Sequence, residues 1–340
     1  MKKNLTKILA LLMALSMVLS FAACSGSDNG TEADTSDSSS ADAENVDADV
    51  TYTVGICQLV QHVALDAATE GFKDALTEKL GDKVVFDEQN ASGDSNACST
   101  IVNSFVSKNV DLILANATPA LQAASAATDV IPILGTSITE YGVALGIDGF
   151  DGTVGGNISG TSDLAPLDEQ AKMITEIFPE AKTVGLLYCS AEANSQYQVD
   201  VVKSELEKAG LTATLYAFSD SNDLSAVCTE AAGNSDVIYV PTDNTVADAT
   251  GIVDGICRPA GVPVVAGEEG ICAGCGTVTL SISYYDLGYA TGLMAARVLG
   301  GEDISEMAIE YAPQFTKEYN AEICAELNID IPDDYVAIEG

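Results

Sequence analysis

The chain has 340 residues, is 47% hydrophobic and carries 14 basic against 51 acidic side chains, a formal charge of -37. A field of that sign and size excludes nucleic acid and other polyanions as partners, and is otherwise a statement about solubility. With one histidine, no G-x-S-x-G elbow, no P-loop lysine motif and no paired metal-ligand cluster, the sequence offers little to build an enzyme from, and it calls for no cofactor.

The chain opens on Lys2, Lys3 and Lys7, then an apolar run over 8–18 and Phe21-Ala22-Ala23-Cys24. This order reads as a secretory signal over 1–23, too short to remain as a spanning helix. The cysteine behind small residues resembles a bacterial lipobox, which implies lipidation at Cys24 and a membrane-anchored protein on the outer face of the cytoplasmic membrane. Removing the three signal lysines takes the charge to -40. Residues 24–50 are rich in Ser, Asp, Ala and Gly and lack Lys, Arg and aromatic side chains, so they read as a solvated acidic tether.

Short β-branched runs then alternate with longer amphipathic ones. Strands are expected over 52–57, 84–90, 111–117 and 131–137, with helices over 64–80, 94–108 and 119–128, the last opening on Pro119. After a glycine-rich stretch at 149–160 the rhythm restarts. Strands are expected over 183–189, 212–218, 236–240 and 263–267, and helices over 166–178, 195–209, 223–232 and 246–257. The fold class is α/β, with two doubly wound parallel-sheet lobes. Eight cysteines besides Cys24 are scattered through this part. Only Cys272-Ala-Gly-Cys275 has a recognisable spacing, open to a disulfide or to free thiols, with no second pair for zinc.

In parallel open sheets ligands lie beyond the carboxyl ends of the strands, where helix N-termini point amides into a crevice. The residues at those ends are Gln61 and His62, Asn90, Thr118, Ser137 and Thr139, then Asn194, Asp243 with Asn244, and Glu268. Each has a plainer role open to it: Asp243 can cap the helix that begins near Val246, Thr118 can start one, and His62 can face solvent.

Several stretches in order, VGICQLVQHVALDAATEGFKDAL, EQNASGD, DLILANATPALQAA, EANS, YVPTDNTV and ISYYDLGYATGLMAARVLGG, resemble the ABC transporter substrate-binding proteins of the tryptophan or tyrosine carrier type. The resemblance spans 52–331 and implies a type I periplasmic-binding fold. A hinge would join a first lobe of 51–160 plus about 284–305 to a second of 161–283 plus about 306–340. It implies a small ligand, an amino acid with an aromatic side chain favoured, delivered to an ABC permease and its ATPase subunits. A receptor for a signalling partner, or a carrier of a sugar or nucleoside, would use the same cleft. Under this reading Thr118, Ser137 and Thr139 meet the ligand carboxylate and Asp243 its ammonium. With no tryptophan, stacking on the ligand falls to tyrosines such as Tyr284. Residues 270–276, which hold the C-x-x-C, depart from the family.

Overall fold

The computed structural model describes residues 50–338, so the signal segment, the Cys24 lipidation site and nearly all of the tether lie outside the described residues. The first lobe runs β1 (Tyr52–Gln58), α1 (Val63–Leu80), β2 (Val84–Asn90), α2 (Ser95–Lys108), β3 (Leu112–Asn116), α3 (Thr118–Ala127), β4 (Ile133–Ile138), α4 (Tyr141–Leu145) and β5 (Ile158–Ser162). The second continues with α5 (Leu167–Ile177), β6 (Thr183–Cys189), α6 (Ala193–Lys208), β7 (Thr212–Phe218), α7 (Ser221–Asn234), β8 (Val237–Val240), α8 (Asn244–Asp248), α9 (Thr250–Ala260), β9 (Val264–Ala266), α10 (Glu269–Cys275) and β10 (Val278–Ser281). The chain then forms α11 (Tyr284–Leu299), β11 (Glu310–Tyr311), β12 (Thr316–Tyr319), α12 (Ala321–Leu327) and β13 (Val336–Ala337).

Two sheets result, ordered β11-β5-β4-β3-β1-β2 and β13-β12-β10-β9-β8-β6-β7. Every pairing is parallel except β10 with β12. The central strands β3, β4 and β8 are buried along their whole length because helices cover both faces. In β3, Leu112 and Leu114 enter one apolar cluster with Phe72 and Met294, while Ile113 and Ala115 enter another with Phe105 and Leu121. Caps fix the helix starts: Asp94 accepts from the amide of Asn96, and Asp220 from that of Asn222.

Three segments cross between the lobes: β5 to α5, β10 to α11, and β11 to β12. The sequence expectation put the last crossing near 306, but Glu310 and Tyr311 pair with Thr161 and Ser162 and so extend the first sheet. The first lobe likewise runs to Ser162 rather than 160. The reason is β5 itself, an Ile-Ser-Gly-Thr-Ser strand whose small residues read as a continuation of the glycine-rich linker. Its Gly160, at φ 144°, lies against the Gly135 backbone, where no Cβ fits.

Helix α11 packs along α1, and the approach depends on glycines. A Cβ on Gly71 would run into the Tyr285 carbonyl, one on Gly288 into the Ala68 carbonyl, and one on Gly292 into that of Phe72. Backbones at that separation admit no side chain between them.

Candidate functional site

The carboxyl ends of both sheets face each other across a narrow cavity lined from both sides. The first lobe supplies His62, Leu65, Ser137 and Thr139, the second Asn194, Asp243, Asn244 and Glu268, and the crossing segments Asp163 and Tyr284. Eight of the eleven side chains expected from the sequence therefore share this cavity. The other three do not line it. Gln61 is exposed, Asn90 is exposed and accepts from the amide of Ser92 in a turn, and Thr118 is buried at the start of α3. The side chain next to it, Pro119, lines a separate part of the cleft with Leu59, Val60 and Glu192.

His62 stands at the start of α1, and its Nε2 lies 3.2 Å from the Asn244 Oδ1 on the opposing lobe. Burial holds its pKa below the ordinary histidine range, so the ring is neutral. Ser137 sits where the β4–β5 register slips, at φ 56°, a left-handed conformation unusual for a residue with a side chain. Its hydroxyl is buried and without a partner among the described residues.

Asp243 is tied into its own lobe by two backbone amides. Its Oδ2 accepts from the Cys189 amide at 2.7 Å and its Oδ1 from the Val246 amide at 3.0 Å, so both oxygens are committed to holding β6 and the start of α8. Burial, with the neighbouring Glu192 charge behind it, pushes its pKa up to about 8. Glu268 is occupied in the same way, capping α10 through the amides of Gly270 and Ile271, and burial raises it to about 7. Each of these carboxylate oxygens already accepts an amide within the second lobe, and both groups line the cavity.

The acidic side chain of this cavity with a wholly unpartnered oxygen is one that strand-end reading passed over, Asp163, which follows β5 on the first crossing. It is buried, its Oδ2 accepts from the Tyr284 hydroxyl at 3.0 Å, and its Oδ1 has no partner among the described residues. Burial moves its pKa up to about 6. Tyr284 thus contributes its hydroxyl to orient Asp163, and Asp163 offers the remaining oxygen to the cavity. Asn194 has an unpartnered buried Oδ1 as well. Three acceptor or hydroxyl oxygens, from Ser137, Asp163 and Asn194, therefore converge on one space from the first lobe, the hinge and the second lobe. No Lys or Arg lines it. A ligand carboxylate here meets neutral donors, and a ligand cation meets Asp163.

Among the described residues no group of three or more His, Cys, Asp or Glu side chains is placed to hold a metal, and no helix is long and apolar enough to cross a membrane. The eight cysteines described are free and buried.

The model of the family described as ABC transporter substrate binding protein matches residues 53–338. A tyrosine-binding protein of Clostridioides difficile (strain R20291) is 33% identical over 314 residues, covering 91% of this chain and 87% of that protein. An ABC domain of Streptococcus pneumoniae crystallised with L-Trp superposes with a TM-score of 0.80 at 32% identity, covering 83% of this chain and 96% of that one. The ligand-free, open structure of a substrate-binding protein with adhesive properties from Clostridium difficile gives 0.65 at 36% identity, over 85% and 100% of the two chains. Its sequence is the more similar of the two and its overall arrangement the less, so the lobes here stand nearer to those of the L-Trp complex. Structures at lower identity, such as a leucine-binding protein of Thermotoga maritima at 14% with a TM-score of 0.58, share the type I periplasmic-binding fold.

Proposed function

The chain belongs to the ABC transporter substrate-binding protein family, and from that premise we propose that it is an extracytoplasmic, lipid-anchored carrier of an aromatic L-amino acid, which it delivers to an ABC permease. The observation that carries the amino-acid reading is Asp163 Oδ1, a buried carboxylate oxygen open to the cavity with hydroxyls beside it and no basic side chain opposite. The α-ammonium is held by Asp163, and the α-carboxylate by the hydroxyls of Ser137 and Thr139. The side chain lies against Leu65, Ala64 and Ala247, with His62 and Asn244 closing over it.

Magnitudes support this division. A charge-assisted hydrogen bond contributes about 1.5 to 3 kcal/mol net. Burial of an aromatic side chain of about 150 to 250 Å² adds roughly 4 to 6 kcal/mol at about 25 cal/mol/Å². Micromolar affinity requires about -8 kcal/mol, so the polar anchor and the ring together suffice. Closure follows because the ligand touches both lobes at once and favours the closed state by that difference. Lipidation at Cys24 and the acidic segment behind it give the carrier its anchor and its reach.

Thermal shift against the twenty amino acids, with mass spectrometry of small molecules extracted from the purified protein, tests the reading. Stabilisation by tyrosine, tryptophan or phenylalanine above the rest is expected. If only solutes without an amine stabilise the protein, the amino-acid reading is wrong.

A further inference from the structure

Glu192 forms no part of the cavity wall; it stands behind it, 5% exposed, at the start of α6. Its two oxygens receive five hydrogen bonds. Oε2 accepts from the Asn244 amide at 3.0 Å, from Asn244 Nδ2 at 2.6 Å and from Asn194 Nδ2 at 3.2 Å. Oε1 accepts from the amide and hydroxyl of Thr245 at 2.9 and 2.8 Å.

A carboxylate only accepts. Both asparagines must therefore turn their NH2 groups toward Glu192, since a carbonyl oxygen in that place would face a negative charge without a proton between them. Asn194 Nδ2 is held in the same sense by the Thr242 carbonyl at 3.0 Å. Each side chain is left with only its Oδ1 to offer the cleft. The Asn244 oxygen meets His62 Nε2, which fixes that nitrogen as the N–H donor of the neutral ring. The Asn194 oxygen is buried, lines the cavity and has no partner among the described residues.

We infer that Glu192 is a positioning residue of the binding site, which turns the Asn194 and Asn244 amides so that the second lobe offers ligands acceptors only and engages an amino acid through its ammonium. The inference deepens the amino-acid reading and rests on it for the identity of the donor. It also gives closure a polarity: the first lobe donates through His62, and the second accepts.

The test is Glu192→Gln, which keeps the size and places a donor where one asparagine amide now points. Binding of L-tyrosine and of 3-(4-hydroxyphenyl)propanoate, the same molecule without its amine, is measured for both proteins. The wild type should prefer L-tyrosine by about 100-fold or more, and E192Q should lose about fivefold or more of that preference through weaker L-tyrosine binding alone. In N194A the preference should already be reduced, and E192Q should add little further loss to it. An unchanged ratio, or equal loss on both ligands, would overturn the inference. In the ligand-free protein the side-chain NH2 signals of Asn194 and Asn244 should exchange slowly, and about tenfold faster in E192Q; equal exchange rates would overturn it too. If the wild type binds neither probe, the amino-acid reading fails while the exchange measurement still decides the role of Glu192. Should E192Q not fold, N194A alone decides, and an intact preference there would overturn the inference.

Discussion

His62 and Asn244, one at the start of α1 and the other in the first turn of α8, meet at 3.2 Å across the gap between two lobes. Their contact exists only while the lobes are together. Replacing His62 by Ala should therefore speed ligand release more than it slows capture, with a loss of about 1 kcal/mol, or roughly fivefold in Kd. Stopped-flow dissociation measures it, and an unchanged off-rate would remove His62 from the closed state.

Asp163 should dominate affinity. Asp163→Asn leaves the volume and removes the charge opposite the ammonium, so amino-acid binding should weaken by about 1.5 to 3 kcal/mol, on the order of 10- to 100-fold. Calorimetry with L-tyrosine checks this. Retained affinity would move the ammonium elsewhere.

The same carboxyl sets a pH dependence whose sign differs between ligand-free and bound protein. Burial raises Asp163 to about 6 from the unfolded value near 4, so the folded state holds its proton more tightly than the unfolded one. Its contribution to stability is full below about pH 4 and is lost as pH rises through about 6. Binding runs the other way. An ammonium needs the ionised form, so affinity should be level above about pH 6 and fall by up to about tenfold per unit below it. Tyr284, Thr139, Tyr141 and Glu268 are the neighbouring groups that modulate it. D163N should flatten the profile of Kd against pH; a slope that survives in D163N would assign the titration to another group.

Gly288→Ala tests the seam between α1 and α11. The added methyl meets the Ala68 carbonyl, so the helices must part, at a cost of about 1 to 3 kcal/mol. Chemical denaturation should show it as a lower midpoint at unchanged slope. A midpoint equal to the wild type would mean that the seam gives way freely.

The thiols make a further distinction. Cys228 and Cys257, on α7 and α9, bring their sulfurs to 3.6 Å, whereas Cys275 of the C-x-x-C turns its thiol back to the Ile271 carbonyl on its own helix. A disulfide needs the sulfurs at about 2 Å, a small approach of two packed helices. Under a diazene oxidant such as diamide, which takes up the two thiol protons and two electrons, peptide mapping should recover Cys228 joined to Cys257 ahead of any Cys272–Cys275 link. The reverse order would show that α10 unwinds more readily than α7 and α9 approach.

The strand-helix alternation was plain in the sequence because each element carries its own period, from the apolar run of β1 to the amphipathic α1. What lay between periods was not. After Ile158 the strand β5 has only small residues, one of them a glycine, so little in its pattern separates it from the linker before it, and Asp163 was hidden with it. The reading at strand tips brought together His62, Ser137, Asn194 and Asn244 because a parallel sheet places every such tip on one edge. At Asp243 and Glu268 it could not foresee the capping bonds for a physical reason: an acidic residue at that position caps a helix, receives a ligand or does both, and sequence does not say which donors reach it. Glu192 was passed over because it acts only through two other side chains.

The pairing of α11 with α1 has a consequence for how the chain is made. The face of α1 that carries Gly71 is sealed by residues more than 200 positions later, after most of the second lobe has been laid down. During synthesis residues 52–162 must therefore wait with an open apolar flank, and a chain cut before α11 leaves the first lobe without the helix that seals it.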